Sequence, residues 1–233
     1  MGNEYADFVC ARRGYGRNTQ NAGTVITQLI EPRESCRPQI AYLRYRNGTS
    51  AQILTLMRPI TLVRTTAAAA ASQAVINISS DPGNFSNINS NCSTANNLIA
   101  GSDYVVYQAA DGTYVLDTVS SVSTLAITMT TNCPTGGVLK GAPFWWFGVV
   151  TDTNPNNAQA HPRWNILANQ TLVLGRGDGL TTCQRMAGKN STGDSFAASD
   201  GAPLIIHSDN ASNAGFLESV GVEYIRRSAI PGR

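Results

Sequence analysis

The run Phe144-Trp145-Trp146-Phe147, inside "GAPFWWFGVV", constrains this chain more than any other stretch, because the sequence as a whole is only 7% aromatic. The apolar segment from Gly141 to Val150 is about half of the roughly 20 residues that a membrane-spanning helix requires, so no membrane is expected around it. Read as a strand, it points Phe144 and Trp146 to one face and Trp145 and Phe147 to the other. Each large aromatic carries on the order of 150–250 Å² of surface to bury, so both faces need cover. A single core supplies cover for one face. The other is expected to pack at a junction with a second layer of the chain or against a neighbouring subunit.

The rest of the sequence supplies such layers. Short apolar or alternating runs recur from Thr24 onward: "TVITQLI", "QIAYLRY", "AQILTLMRPITLV", "AVINI", "DYVVYQ", "TYVLDTV", "TLAITMT", "QTLVLG", "PLIIHS" and "ESVGVEYI". Their lengths, β-branched content and turn-rich boundaries indicate strands. Asp111-Gly112 between two of them predicts a tight type I′ hairpin turn. No amphipathic helix stands out, and the alanine run at 65–72 is too short to hold as a helix alone, so it reads as a connector. The expected fold is therefore mainly β with few or no long helices. Polar Asn- and Ser-rich stretches at 79–97 and 151–163 divide it. The expected organisation is an N-terminal arm (1–23), a β-sandwich (24–64 with 151–227), an inserted small antiparallel β-barrel (65–150) and a C-terminal tail (228–233).

Charge narrows the function classes. Charged residues make up 14%, against about 25% in ordinary soluble domains, and the net charge is +2. Nucleic-acid binders concentrate basic residues, so direct nucleic-acid binding is not expected. Cys10, Cys36, Cys92, Cys133 and Cys183 stand singly, without the paired spacing of a zinc site, and no metal or cofactor is expected. Buried free thiols are the simpler reading, with a Cys92–Cys133 bridge as the alternative. The first twenty residues carry charges where an export signal has its apolar core, which points to folding in a cytosol.

Candidate chemistry is thin. His161 and His207 are the two histidines and occupy unrelated contexts. "GDSF" (Gly193–Phe196) shares four residues with the nucleophile block of GDSL-type esterases, but Asp200 and His207 lack the spacing that would make Ser195 a nucleophile, and a turn is expected instead. Arg176-Gly177-Asp178 is likewise a turn leaving a strand. The sequons at Asn47, Asn77, Asn84, Asn91, Asn169, Asn190 and Asn210 follow from abundant Asn, Ser and Thr. Arg12, Arg13 and Arg17 form a basic N-terminal cluster, and Arg226, Arg227 and Arg233 close the chain. Solvated termini explain both; a grip on an acidic neighbour is the functional alternative. No catalytic residues are assigned, and the chain is not expected to be an enzyme. The interface candidates are Phe144, Trp145, Trp146, Phe147, Arg12, Arg13 and Arg17.

Two passages carry a resemblance. "DYVVYQAADGTYVLDTVSSVSTLAITMT" with "GAPFWWFGVV" is similar to small barrel modules of tailed-bacteriophage head and tail proteins, and "GAPLIIHSDNASNAGFLESVGVEYI" looks like the C-terminal strands of head decoration proteins. The resemblance implies a virion structural protein, assembled in the host cytoplasm, that decorates or cements a capsid lattice. Its partners would be the major capsid protein or other virion proteins, with homo-oligomerisation and no membrane. A tail or head–tail junction protein is the near alternative. A carbohydrate-binding β-sandwich, with Trp145, Trp146 or Trp164 stacking on sugars, is the alternative from another class, and a hydrolase is third.

Overall fold

A computed structural model describes residues 10–14, 18–20, 26–32, 36–57, 59, 61–79, 99, 101–149, 163–175, 203–208 and 215–226. The chain is mainly β. Its strands are β1 (Cys10–Gly14), β2 (Asn18–Gln20), β3 (Ile26–Ile30), β4 (Cys36–Arg46), β5 (Gln52–Met57), β6 (Thr61–Arg64), β7 (Val75–Asn77) and β8 (Tyr104–Gln108). They continue as β9 (Tyr114–Ser123), β10 (Ala126–Met129), β11 (Pro143–Gly148), β12 (Arg163–Ile166), β13 (Thr171–Gly175), β14 (Leu204–Ser208) and β15 (Gly215–Arg226). Among the described residues no helix is long and apolar enough to cross a membrane.

The chain divides into two compact units: Met1–Met57 with Pro162–Met186 and Ala197–Arg233, and Arg58–His161 with Ala187–Phe196. β6 therefore belongs with the strands that follow it rather than with β5. In the first unit, a five-stranded sheet ordered β1-β15-β4-β13, with β2 also on β15, accompanies a four-stranded sheet ordered β12-β5-β14-β3. Alternation dictates how they pack. Ile40, Leu43, Tyr45, Leu174 and Leu217 from the first sheet share one core with Ile30, Leu54, Leu56, Ile166, Leu204 and Ile206 from the second. Two sheets pooling their inner faces in one core make a sandwich.

The N-terminal region differs from the expected arm. Cys10–Gly14 pairs residue for residue with β15, from Cys10 opposite Tyr224 to Gly14 opposite Val220. β2 pairs with the beginning of β15. The long β15 offers a free edge to both, and backbone pairing there outweighs the weak strand signal of "CARRG" and "NTQ".

One corner of the sandwich is fastened by Asn47. The β4–β5 and β12–β13 connections both pass from one sheet to the other, and the Asn47 amide joins them by donating to the carbonyls of Ser50, Ile166 and Leu167 at 2.9–3.0 Å. Its own carbonyl accepts from Gly48 N–H at 2.8 Å. The side chain is buried, so this sequon presents no acceptor for a glycan.

In the second unit a six-stranded antiparallel sheet runs β6-β11-β8-β9-β10-β7. Its two edge strands meet. Thr65 bridges Ile78, the Arg64 carbonyl accepts from Ser79 N–H at 2.7 Å, and Thr66 N–H donates to the Asn77 carbonyl at 2.9 Å. The sheet thus closes on itself, and closure satisfies backbone groups that an open edge would expose. The alanine run is an irregular connector anchored at one point: Ala69 is buried and bridges Val138, while Ala67, Ala68, Ala70 and Ala71 are exposed.

The β8–β9 hairpin forms where expected, but with a different turn. Gly112 N–H donates to the Ala109 carbonyl at 3.0 Å, and Ala109 N–H donates to the Thr113 carbonyl at 2.9 Å. Ala110 and Asp111 thus form a type I turn, and of the Asp111-Gly112 pair Gly112 alone has positive φ, at 86°. This three-residue loop with a left-handed glycine is the other common hairpin solution. Asp111 favours it because its carboxylate accepts from Thr113 N–H at 2.9 Å and Thr113 Oγ1 at 2.7 Å. Those bonds hold its carboxyl below the ordinary carboxylate value.

Two glycines should respond differently to alanine. Gly112 has φ +86° with open space where a methyl group would stand, whereas a Cβ on Gly137, at φ +74°, would lie 2.1 Å from the Ala69 carbonyl oxygen. Gly112→Ala should cost about 1 kcal/mol of backbone strain. Gly137→Ala should cost on the order of 3 kcal/mol, because strain and overpacking add. Denaturant unfolding of both variants measures the difference; equal losses would contradict the packing of Gly137 on the alanine connector.

Candidate interaction surface

β11 occupies the interior of the six-stranded sheet, between β6 and β8, and all six of its residues are buried. Phe144 and Trp146 face the barrel core with Val63, Val105, Tyr107, Ile127 and Met129. Phe144 stacks on its cross-strand neighbour Tyr107, with centroids 6.4 Å apart and rings 11° from parallel. The indole N–H of Trp146 donates to buried Asp103 Oδ2 at 2.7 Å. A carboxylate at that depth needs such donors.

The opposite face carries a lateral apolar row, Leu62-Trp145-Val106-Leu116, set by register across β6, β11, β8 and β9. Tyr114 adds a tilted ring 5.8 Å from Trp145. Trp145 and Phe147 are 1% and 0% exposed in the chain by itself. Cover on both faces is complete without a second subunit, and none of the four aromatics presents a surface to another molecule. Trp145 and Trp146 are equally out of reach of a sugar; Trp164, on β12, is half-buried.

The remaining sequence candidates fall in several places. Arg12 and Arg13 lie on β1, paired with Val222 and Gly221 of β15. Arg17, His161, Arg176–Asp178, Ser195 and Asp200 lie outside the described residues. His207 is buried on β14, opposite Thr27 and Thr55. Cys133 is a buried free thiol, while Cys92 lies outside the described residues. Burial pushes the Cys133 thiol up. Burial also raises the neighbouring Tyr107 phenol, reinforced by Cys133 and Asp117. Both groups stay protonated at neutral pH, which is the wrong state for a nucleophile. Among the described residues no group of three or more His, Cys, Asp or Glu side chains is arranged to hold a metal.

What the structure does expose is the outer face of the five-stranded sheet. Strand alternation sends Leu43 and Tyr45 into the core and leaves Tyr42, Arg44 and Arg46 outside. β15 contributes Phe216 and Glu218, the latter at a bulge between Leu217 and Ser219. Arg44 Nε lies 2.6 Å from Glu218 Oε2 and Arg46 Nε 3.6 Å from Oε1. The Arg46 guanidinium also sits 4.7 Å from the Phe216 ring centre. Both arginines are about half-exposed, so the pairs orient the side chains more than they stabilise the fold. The alternation in "AYLRYR" was the sequence signal for this face. Glu218 and Phe216 had none, because the bulge and the β4–β15 pairing join residues far apart in the chain.

No protein-family model matches the sequence, and no curated protein matches it significantly. Among solved structures, VP17, a capsid protein of bacteriophage P23-77, aligns over 93% of this chain and 99% of its own at 9% identity, with a TM-score of 0.21. A VP2 variant of infectious bursal disease virus aligns over 95% of this chain and 41% of its own at 10% identity, with a TM-score of 0.11. At these scores neither alignment demonstrates a shared fold.

Two-sided burial sets an expectation for the tryptophans. Trp145→Ala and Trp146→Ala should each cost about 3–5 kcal/mol in the isolated chain. Trp146→Phe should cost about 1–3 kcal/mol through loss of a donor to buried Asp103. Thermal or denaturant unfolding is the measurement. A Trp145→Ala variant as stable as wild type would show that its face is not packed.

Proposed function

We propose that this chain is a non-enzymatic structural protein of a virion, one that decorates or cements a tailed-bacteriophage capsid lattice by contact with the major capsid protein or other virion proteins. The observation that carries the reading is the outer face of the five-stranded sheet. Tyr42, Arg44, Arg46, Phe216 and Glu218 form a broad, mixed apolar and charged surface on strands, held by ion pairs and a cation–π contact. Tyr, Phe and Arg are the residues enriched where proteins meet proteins. The low charge of the chain and its resemblance to phage head proteins support the same reading. A place in the tail or at the head–tail junction would use the same chemistry with a different partner.

The test is co-sedimentation of purified chain with particles that lack it. Wild type should pellet with particles. Arg44→Glu combined with Arg46→Glu should weaken pelleting at least about tenfold, the scale of about 1.4 kcal/mol, with unfolding nearly unchanged because the pairs are half-exposed. Failure of wild type to bind any particle, or turnover of an ester or glycan substrate that disappears in Ser195→Ala, would overturn the proposal. Glycan binding abolished by Trp164→Ala would favour the carbohydrate reading instead.

A further inference from the structure

We propose that β13 is an edge through which two copies of this chain pair, antiparallel about Val173, joining their five-stranded sheets. β13 is the terminal strand of that sheet, and among the described residues it pairs with β4 alone. Its register with β4 is unbroken from Thr171 opposite Arg46 to Gly175 opposite Tyr42. A strand edge presents unpaired N–H and C=O groups, which proteins ordinarily protect with charge, proline, a bulge or a covering element. "TLVLG" contains none of the first three.

Other edges of the sandwich are different. β1 carries Arg12 and Arg13, and β12 carries Arg163. β3 has no charge, but its side chains from Thr27 to Ile30 are half-buried or buried. On β13, Val173 is 53% exposed. Among the described residues no second strand pairs with this edge, and an uncharged edge selects for an equally uncharged one.

The occupant that fits residue by residue is a second copy. With Val173 facing Val173 of the copy, Thr171 faces Gly175, so no bulky pair collides, and Leu172 faces Leu174. Leu174 lies in the sandwich core and Leu172 packs against it while half-exposed. Pairing would therefore extend both cores across the seam. Charge does not oppose it. Arg44, opposite Val173, is already drawn to Glu218 on β15, the strand on the far side of β4 from the edge. A seam of 5 residues per copy falls short of the roughly 1,200 Å² at which stable specific interfaces begin. Pairing is thus weak in solution and strengthened where copies are held side by side.

The experiment uses the full chain without particles, so its failure is distinct from failure of the structural-protein reading. Sedimentation equilibrium should show concentration-dependent dimers, weakened at least about tenfold in Val173→Lys. Independently, Val173→Cys should form a disulfide between copies under mild oxidation, identified by mass spectrometry as a 173–173 linked peptide. Leu167→Cys, equally exposed in the β12–β13 turn, should link far more slowly. A wild type that stays monomeric while 173 and 167 link at equal low rates would overturn the proposal. So would a Val173→Lys variant that loses particle binding with self-association unchanged, because the edge would then belong to another virion protein.

Discussion

The structure depends on a strand that cannot tolerate water on either side. Alternation in β11 sends two large aromatics each way, so the residues around it are arranged to make two apolar faces rather than one. Inside, Phe144 and Trp146 pack into the barrel core, and buried Asp103 accepts the Trp146 indole N–H at 2.7 Å, so the one polar group of that ring is satisfied. Outside, the register of three neighbouring strands lines Leu62, Val106 and Leu116 up with Trp145. Closure of the sheet through Thr65 and Ile78 follows from the same demand, because a curled sheet encloses the inward aromatics from all sides.

With the aromatics used internally, the surface left for other molecules is of another kind. The sandwich pools its apolar residues in one core and exposes Tyr42, Arg44, Arg46 and Val173. Asn47 fixes the corner where β4 gives way to β5 and β12 to β13, so the strands carrying Arg44, Arg46 and Val173 are held at a common anchor. Strands held at a common anchor leave little ordering cost to be met on binding any partner.

Much of this was legible in local pattern. The alternation of "QIAYLRY", the hairpin "DYVVYQAADGTYVLDTV" and the two-faced aromatic run each specify a strand and its faces from neighbouring residues alone. What depends on distant residues was not. β12, with four residues, has weak propensity and exists because β5 offers an edge. β1 and β2 are strands because β15 is long. The type of the β8–β9 turn was set by the Asp111 side chain capturing Thr113, a local competition that the Asp-Gly signal does not resolve. Among the candidate interface residues, the aromatic run identified the best-packed strand in the barrel rather than a contact surface. Large apolar side chains signal burial, and the sequence does not say whether a partner or the chain itself provides it.

The central claim is that one chain alone covers both faces of β11. The most direct measurement is fluorescence quenching of a Trp164→Phe variant, in which Trp145 and Trp146 are the emitters that remain, recorded on monomeric protein by iodide titration. At exposures of 1% and 4%, emission should be blue-shifted and insensitive to iodide. Red-shifted emission quenched by iodide in the monomer, and protected only on adding particles, would contradict the account.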